Sequence, residues 1–178
     1  MVRHDRNLII YYSRKGENYV GGKVRSIVKG NTAIGAGIIH SATWGEMFEI
    51  ETVCDYPEDY NECIALAKRE LAEGARPELK NYIKDLSDYD RIFICGPNWW
   101  GTFPCAIFSQ LEKLDWTGKK VMLFVTHEGG GIGRVEEDVK KICRGAEFGE
   151  SLAVQGSFVA NEMYTISGWA SKSIDDGE

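Results

Sequence analysis

The sequence predicts an α/β three-layer sandwich, a five-stranded parallel sheet covered by helices on both faces. Two observations carry this. Short apolar, β-rich runs recur along the 178 residues, and they are continuous in the way of strands buried on both faces. Segments with apolar residues at helical spacing fill the gaps between them. No repeat, low-complexity tract or linker divides the chain, so 1–178 reads as one domain.

The first strand is Asn7 to Tyr12, and Met47 to Ile50 reads as the second. Arg91 to Cys95 is the third, Val121 to Val125 the fourth, and Leu152 to Phe158 a weaker fifth. Thr32 to Thr43 is expected to be the first helix, although Gly35 and Gly37 weaken it. Tyr60, Ile64, Ala67 and Leu71 then mark a second, and Phe103, Ile107, Leu111 and Leu114 a third. Val135, Val139, Ile142 and Cys143 mark a fourth, and Ile166 to Ile174 a short last one. Ser173 to Glu178 reads as a frayed tail.

Composition bounds the function classes. Hydrophobic residues make up 43% and charged residues 27% of the chain, as in globular proteins. A net charge of −6 argues against nucleic-acid binding and suits basic protein partners. No apolar run reaches the roughly 18 residues of a membrane-spanning helix. The polar start Met1 to Arg6 has no signal-peptide core, so a cytoplasmic location is expected. Cys54, Cys63, Cys95, Cys105 and Cys143 lack CxxC spacing and read as reduced, mostly buried thiols, with no disulfide framework and no metal site.

In a parallel sheet ligands bind beyond the carboxyl ends of the strands, which singles out three loops. After the first strand runs Ser13-Arg14-Lys15-Gly16-Glu17-Asn18-Tyr19, then a hairpin turning at Gly21-Gly22, then Gly30-Asn31-Thr32 at the start of the first helix. Gly30 permits a close backbone approach, Asn31 or Thr32 is expected to cap, and the first-turn N–H groups favour an anion. Lys15, Lys23, Arg25 and Lys29 make the segment basic. An ordinary loop with a helix cap has the same pattern.

After the third strand comes Pro97-Asn98-Trp99-Trp100-Gly101-Thr102-Phe103-Pro104. Adjacent loop side chains diverge, so at least one indole is expected near solvent or a ligand, offering a flat face to a planar ring. The alternative is that both pack against helices. After the fourth strand, Thr126-His127-Glu128-Gly129-Gly130-Gly131-Ile132-Gly133 exposes backbone groups to a ligand edge. His127 is either a polar contact or a loop histidine with one hydrogen bond, and Glu128 is either a contact or a carboxylate favoured near a helix start. The glycine spacing is wrong for a dinucleotide fingerprint. Together the loops call for a phosphate, a flat ring and a polar ring edge, the three parts of FMN.

These motifs resemble the flavodoxin family from about Asn7 to Trp169. Ser13 and Gly30-Asn31-Thr32 match its phosphate loop. Arg14 to Lys29 resembles an insertion of one flavodoxin-like subgroup, whose opening is similar to Tyr11-Tyr12-Ser13-Arg14-Lys15-Gly16-Glu17-Asn18-Tyr19. The Pro97 to Pro104 motif and Thr126-His127-Glu128-Gly129 resemble the subgroup's two ring-flanking loops. The resemblance implies strand order 2-1-3-4-5, the short-chain type, and FMN as cofactor. It implies that FMN is held by Ser13, Arg14, Lys15, Asn18, Gly30, Asn31, Thr32, Pro97, Asn98, Trp99, Trp100, Gly101, Thr126, His127, Glu128, Gly129 and Gly130.

The expected function is an FMN-dependent electron carrier, monomer or homodimer, serving redox partner proteins or a small-molecule acceptor. The flavin does the chemistry, so no catalytic residue is assigned. A backbone carbonyl near Gly101 is placed to accept from the reduced ring. The alternatives are an NAD(P)H-dependent quinone or flavin reductase, with His127 and Arg134 toward substrate, and a flavin-free interaction module. A phosphorylated receiver domain needs an aspartate where Cys95-Gly96 stands. A small phosphatase needs an arginine six positions past its cysteine, where Cys95 has Gly101 and Cys105 has Leu111.

Overall fold

A computed structural model of the chain describes residues 6–175. Four parallel strands form the body of the sheet: β1 (Asn7–Tyr11), β4 (Glu46–Glu49), β5 (Arg91–Pro97) and β6 (Lys120–His127). Between β1 and β4, the strands β2 (Gly16–Val20) and β3 (Lys23–Ile27) make a separate antiparallel hairpin. The main sheet runs β4-β1-β5-β6, all parallel. The expected fifth strand is split. β7 (Glu147–Phe148) and β8 (Leu152–Gln155) each pair with β6 in parallel, and residues 156–158 turn into a single 3₁₀ turn instead of continuing the strand. With β7 and β8 counted as one broken strand, the order is the expected 2-1-3-4-5.

The continuous apolar runs are explained by burial on both faces. Ile9, Phe93, Cys95, Met122 and Phe124 point one way and pack on α1 (Asn31–Thr43) and α5 (Met163–Ile174). Their neighbours Leu8, Ile10, Ile92, Ile94, Leu123 and Val125 point the other way. That second layer is closed by α3 (Cys105–Leu111) and α4 (Val135–Ile142). α2 (Tyr60–Glu73) joins β4 to β5; the Asp59 side chain accepts from Glu62 N–H at its start, and Gly74 ends it in the left-handed region. No described helix is long and apolar enough to cross a membrane.

Several boundaries differ from expectation for physical reasons. Pro104 sits at the N-cap of α3, so Phe103 stays in the loop and the helix stops at Leu111. α5 starts earlier than expected and includes Ser173 and Ile174; the rest of the expected tail beyond residue 175, like residues 1–5, lies outside the described residues. Cys54 is exposed, while the other four thiols are buried and free.

Gly35 does not mark a weak helix. A Cβ there would stand 2.2 Å from Cε1 of Phe124, a fully buried ring. The glycine lets α1 lie directly on the sheet. Gly35→Ala gains about 1 kcal/mol of helix propensity but overpacks the core, which costs about 1–3 kcal/mol. Net destabilisation is expected in urea unfolding; a midpoint equal to or above wild type refutes the packing argument.

Candidate functional site

A cavity of about 270 Å³ lies at the carboxyl end of the sheet, and all three predicted loops contribute to it. The first loop supplies Ser13, Arg14 and Asn18, and the start of α1 supplies Asn31 and Thr32. Pro97, Asn98 and Trp99 come from the loop after β5, and Thr126, His127, Glu128 and Gly130 from the loop after β6. Lys15, Gly30, Trp100, Gly101 and Gly129 do not line it.

The anion-favouring end is built from backbone and hydroxyls. Gly30 is the N-cap of α1, and neither Asn31 nor Thr32 caps it as expected. Ser13 Oγ does so from the preceding loop, accepting from Ala33 N–H at 3.0 Å. This cross-loop cap explains Gly30, where a Cβ would stand 2.1 Å from Ser13 Oγ and 2.5 Å from the Arg14 carbonyl oxygen. The N–H groups of Asn31 and Thr32, one and two residues into the helix, have no intrahelical acceptor. Thr32 Oγ1 lies 2.7 Å from Thr126 Oγ1, which couples the start of α1 to the end of β6.

Arg14 is the cation of the cavity. Its Nε donates to the Glu17 carbonyl at 2.9 Å and its Nη2 to the Glu58 carbonyl at 2.8 Å. Among the described residues it has no carboxylate partner, so its charge is held in place and left uncompensated. Lys15 is exposed.

The two tryptophans diverge. Trp99 lines the cavity, with Tyr12 and Tyr56 packed edge-on at centroid distances of 5.4 and 5.1 Å. Trp100 turns to α2 and donates from Nε1 to the Ile64 carbonyl at 2.9 Å. The loops after β5 and β6 then meet backbone to backbone: the Gly101 carbonyl accepts from Arg134 N–H at 2.6 Å. That carbonyl therefore holds the two loops together. A Cβ on Gly133, at φ +57, would stand 2.3 Å from the same oxygen. Asn98 completes the joint, donating to the Gly131 carbonyl and accepting from Gly101 N–H, both at 2.8 Å.

His127 accepts from Gly129 N–H through Nδ1 at 3.0 Å, the ordinary loop bond. Glu128 does more than sit near a helix start. Its carboxylate accepts from Ser157 N–H at 2.6 Å and from Gly21 N–H, in the hairpin turn, at 3.2 Å.

A sequence model described as flavodoxin matches residues 27–171. The chain belongs to the flavodoxin family. Solved structures agree at the level of fold. A candidate flavoprotein from Bacteroides uniformis is 24% identical with a TM-score of 0.72, covering 94% of this chain and 98% of that one. A flavoprotein from Lactobacillus acidophilus, solved with FMN, is 20% identical at 0.61, covering 88% and 97%. Oxidised flavodoxin 2 from Bacillus cereus is 19% identical at 0.53, covering 95% and 97%. No curated protein matches the sequence.

Two cavity residues of this flavodoxin-family chain escape sequence reading, Tyr60 and Gly156, while Tyr19 lines the cavity from the first loop. Tyr60 reads as an ordinary α2 position, but it starts the helix, and its ring stacks with Tyr19 of the hairpin at 6.4 Å. Glu17 in the same hairpin accepts from Tyr60 N–H at 2.8 Å. The hairpin is thus fixed to α2 at one end and to Glu128 at the other, and its Asn18 and Tyr19 line the cavity.

Behind Trp99 the Tyr56 hydroxyl donates to Glu70 at 2.7 Å. Burial, then this hydrogen bond, pushes the Tyr56 phenol up. Burial raises the Glu70 carboxyl, partly offset by the Tyr56 bond. A carboxyl raised on folding favours the folded state at low pH, and that contribution is lost as pH rises through the folded value. Glu70→Gln keeps an acceptor for Tyr56 and removes this loss. The variant should gain stability relative to wild type at about pH 8 and not at about pH 4; urea unfolding that shows the same difference at both pH values refutes it.

Proposed function

We propose that the chain binds one FMN in this cavity and works as an electron-transfer protein. The supporting observation is one cavity lined by the start of α1, with its free N–H groups, by an arginine without a carboxylate partner among the described residues, and by an indole. The phosphate end is served by Ser13, Asn31, Thr32 and Arg14, in a setting where backbone donors and a guanidinium favour an anion. Trp99 offers the flat wall, Thr126 stands beside Thr32 at the anion-favouring end, and Gly130 offers backbone groups to a ring edge. Family membership and the FMN complex of the Lactobacillus acidophilus structure support the same cofactor.

When bound, FMN supplies the one- and two-electron chemistry. The protein's part is to hold, orient and shield. The Tyr12–Tyr56–Trp99 cluster keeps the indole in place from behind, which fixes the cavity wall against the ring. The hairpin adds Asn18 and Tyr19 to the cavity wall. Electron-rich aromatic walls disfavour a more electron-rich ring, so a lowered reduction potential is part of this reading. No side chain is assigned as general acid or base. The partners are redox proteins or a small-molecule acceptor in the cytoplasm.

Titration of apo-protein with FMN tests the cofactor, and one equivalent should bind with quenched flavin fluorescence. Arg14→Ala should weaken it by about tenfold to a hundredfold, the range of a charge-assisted hydrogen bond. Unchanged affinity removes Arg14 from the phosphate site, and no binding at all removes the cofactor. Steady-state NAD(P)H oxidation with a quinone separates the carrier from the reductase alternative, since a carrier turns over slowly on its own.

A further inference from the structure

The β2–β3 hairpin carries an open edge. Its two-residue turn, Gly21 at φ 60 and Gly22 at φ 82, makes Val20 and Lys23 the first hydrogen-bonded pair. Antiparallel pairs alternate, so Lys23, Arg25 and Ile27 bond inward to β2, and the N–H and C=O groups of Val24 and Ser26 point outward. Among the described residues those outward groups have no backbone partner. Both residues are exposed, and none of Lys23 to Ile27 lines the cofactor cavity.

The side chains set the charge of the strand that fits. Lys23, Arg25 and Lys29 are exposed and enter no ion pair among the described residues, in a chain of net charge −6. Beside them Val24 and Val28 are 47% and 97% exposed. A second copy does not fit. Antiparallel pairing of two β3 edges through Val24 and Ser26 sets Arg25 against Arg25, Lys23 against Arg25, or Lys23 against Lys29, according to register. Like charges facing each other across a sheet are destabilising.

Basic residues on an edge strand also guard it against unwanted strands. That guard repels basic strands and attracts acidic ones, and it has no use for exposed valines beside it. An anionic membrane would use the charges but not the open backbone. We propose that the outer edge of β3 takes an acidic, extended segment of a partner protein as an added antiparallel strand, its carboxylates on Lys23 and Arg25. This does not rest on the cofactor reading, because Lys23 to Ile27 line no part of the cavity.

The test is amide NMR of the full chain, with FMN added, titrated with the blocked hexapeptide Thr-Glu-Val-Glu-Thr-Glu. In the antiparallel register its last two glutamates face Arg25 and Lys23. Saturable shifts at the Val24 and Ser26 amides are expected. Ser26→Pro removes an outward N–H and no hairpin bond, and should weaken the peptide by about tenfold. If that variant does not fold, N-methylation of the peptide's valine and second threonine, whose N–H groups face β3, reads the same loss. Lys23→Glu combined with Arg25→Glu should weaken the peptide by about tenfold or more and bind Thr-Lys-Val-Lys-Thr-Lys in its place. No saturable shifts, or equal binding of the N-methylated peptide, overturns the proposal. Tighter binding to vesicles of equal parts phosphatidylcholine and phosphatidylglycerol, with shifts at Lys23 and Arg25, also overturns it and assigns the face to an anionic surface.

Discussion

Backbone hydrogen bonding between β1, β5 and β6 sets the level at which the site's loops leave the sheet. Tyr11 pairs with Cys95 and Pro97 with Thr126 in the parallel register. The ladder continues past the strand ends, with Tyr12 N–H to the Cys95 carbonyl at 3.1 Å and Asn98 N–H to the Thr126 carbonyl at 2.8 Å. Ser13, Trp99 and His127 therefore start from one rim. Parallel pairing makes this convergence automatic, because every strand ends on the same edge.

Above the rim, rigidity comes from contacts between loops. Ser13 caps a helix whose N-cap is Gly30, and the Gly101 carbonyl holds the Arg134 N–H. These approaches leave no space for Cβ atoms at Gly30 and Gly133. Glu128 adds a bond to the hairpin turn and one to the 3₁₀ turn. Catalytic and ligand-holding loops are often the softest parts of a fold; here each is bonded to another.

Layer order, sheet polarity and the three loops were legible in the sequence because each rests on a local signal. Continuous apolar runs mark two-sided burial, and glycines and paired tryptophans mark the loops. Partners distant in sequence were not legible. Ser13 reaching Ala33, Glu128 reaching Gly21, and Tyr60 stacking on Tyr19 depend on where elements meet. The direction of Trp100 was also hidden, since a positive φ at tryptophan runs against its residue type. Gly35 was misleading for a related reason. Its helix penalty is local, while its benefit comes from Phe124, 89 positions along the chain.

The split outer strand has a consequence for how the sheet meets other chains. β7 offers two residues and β8 four, with a gap between them. At the opposite rim Glu46 and Glu49 bracket the short β4. An incoming strand thus finds at most four consecutive pairing positions on one side and a carboxylate at each end of the other. Sheets grow into fibrils by adding strands at such rims, and this one gives that growth little to start from.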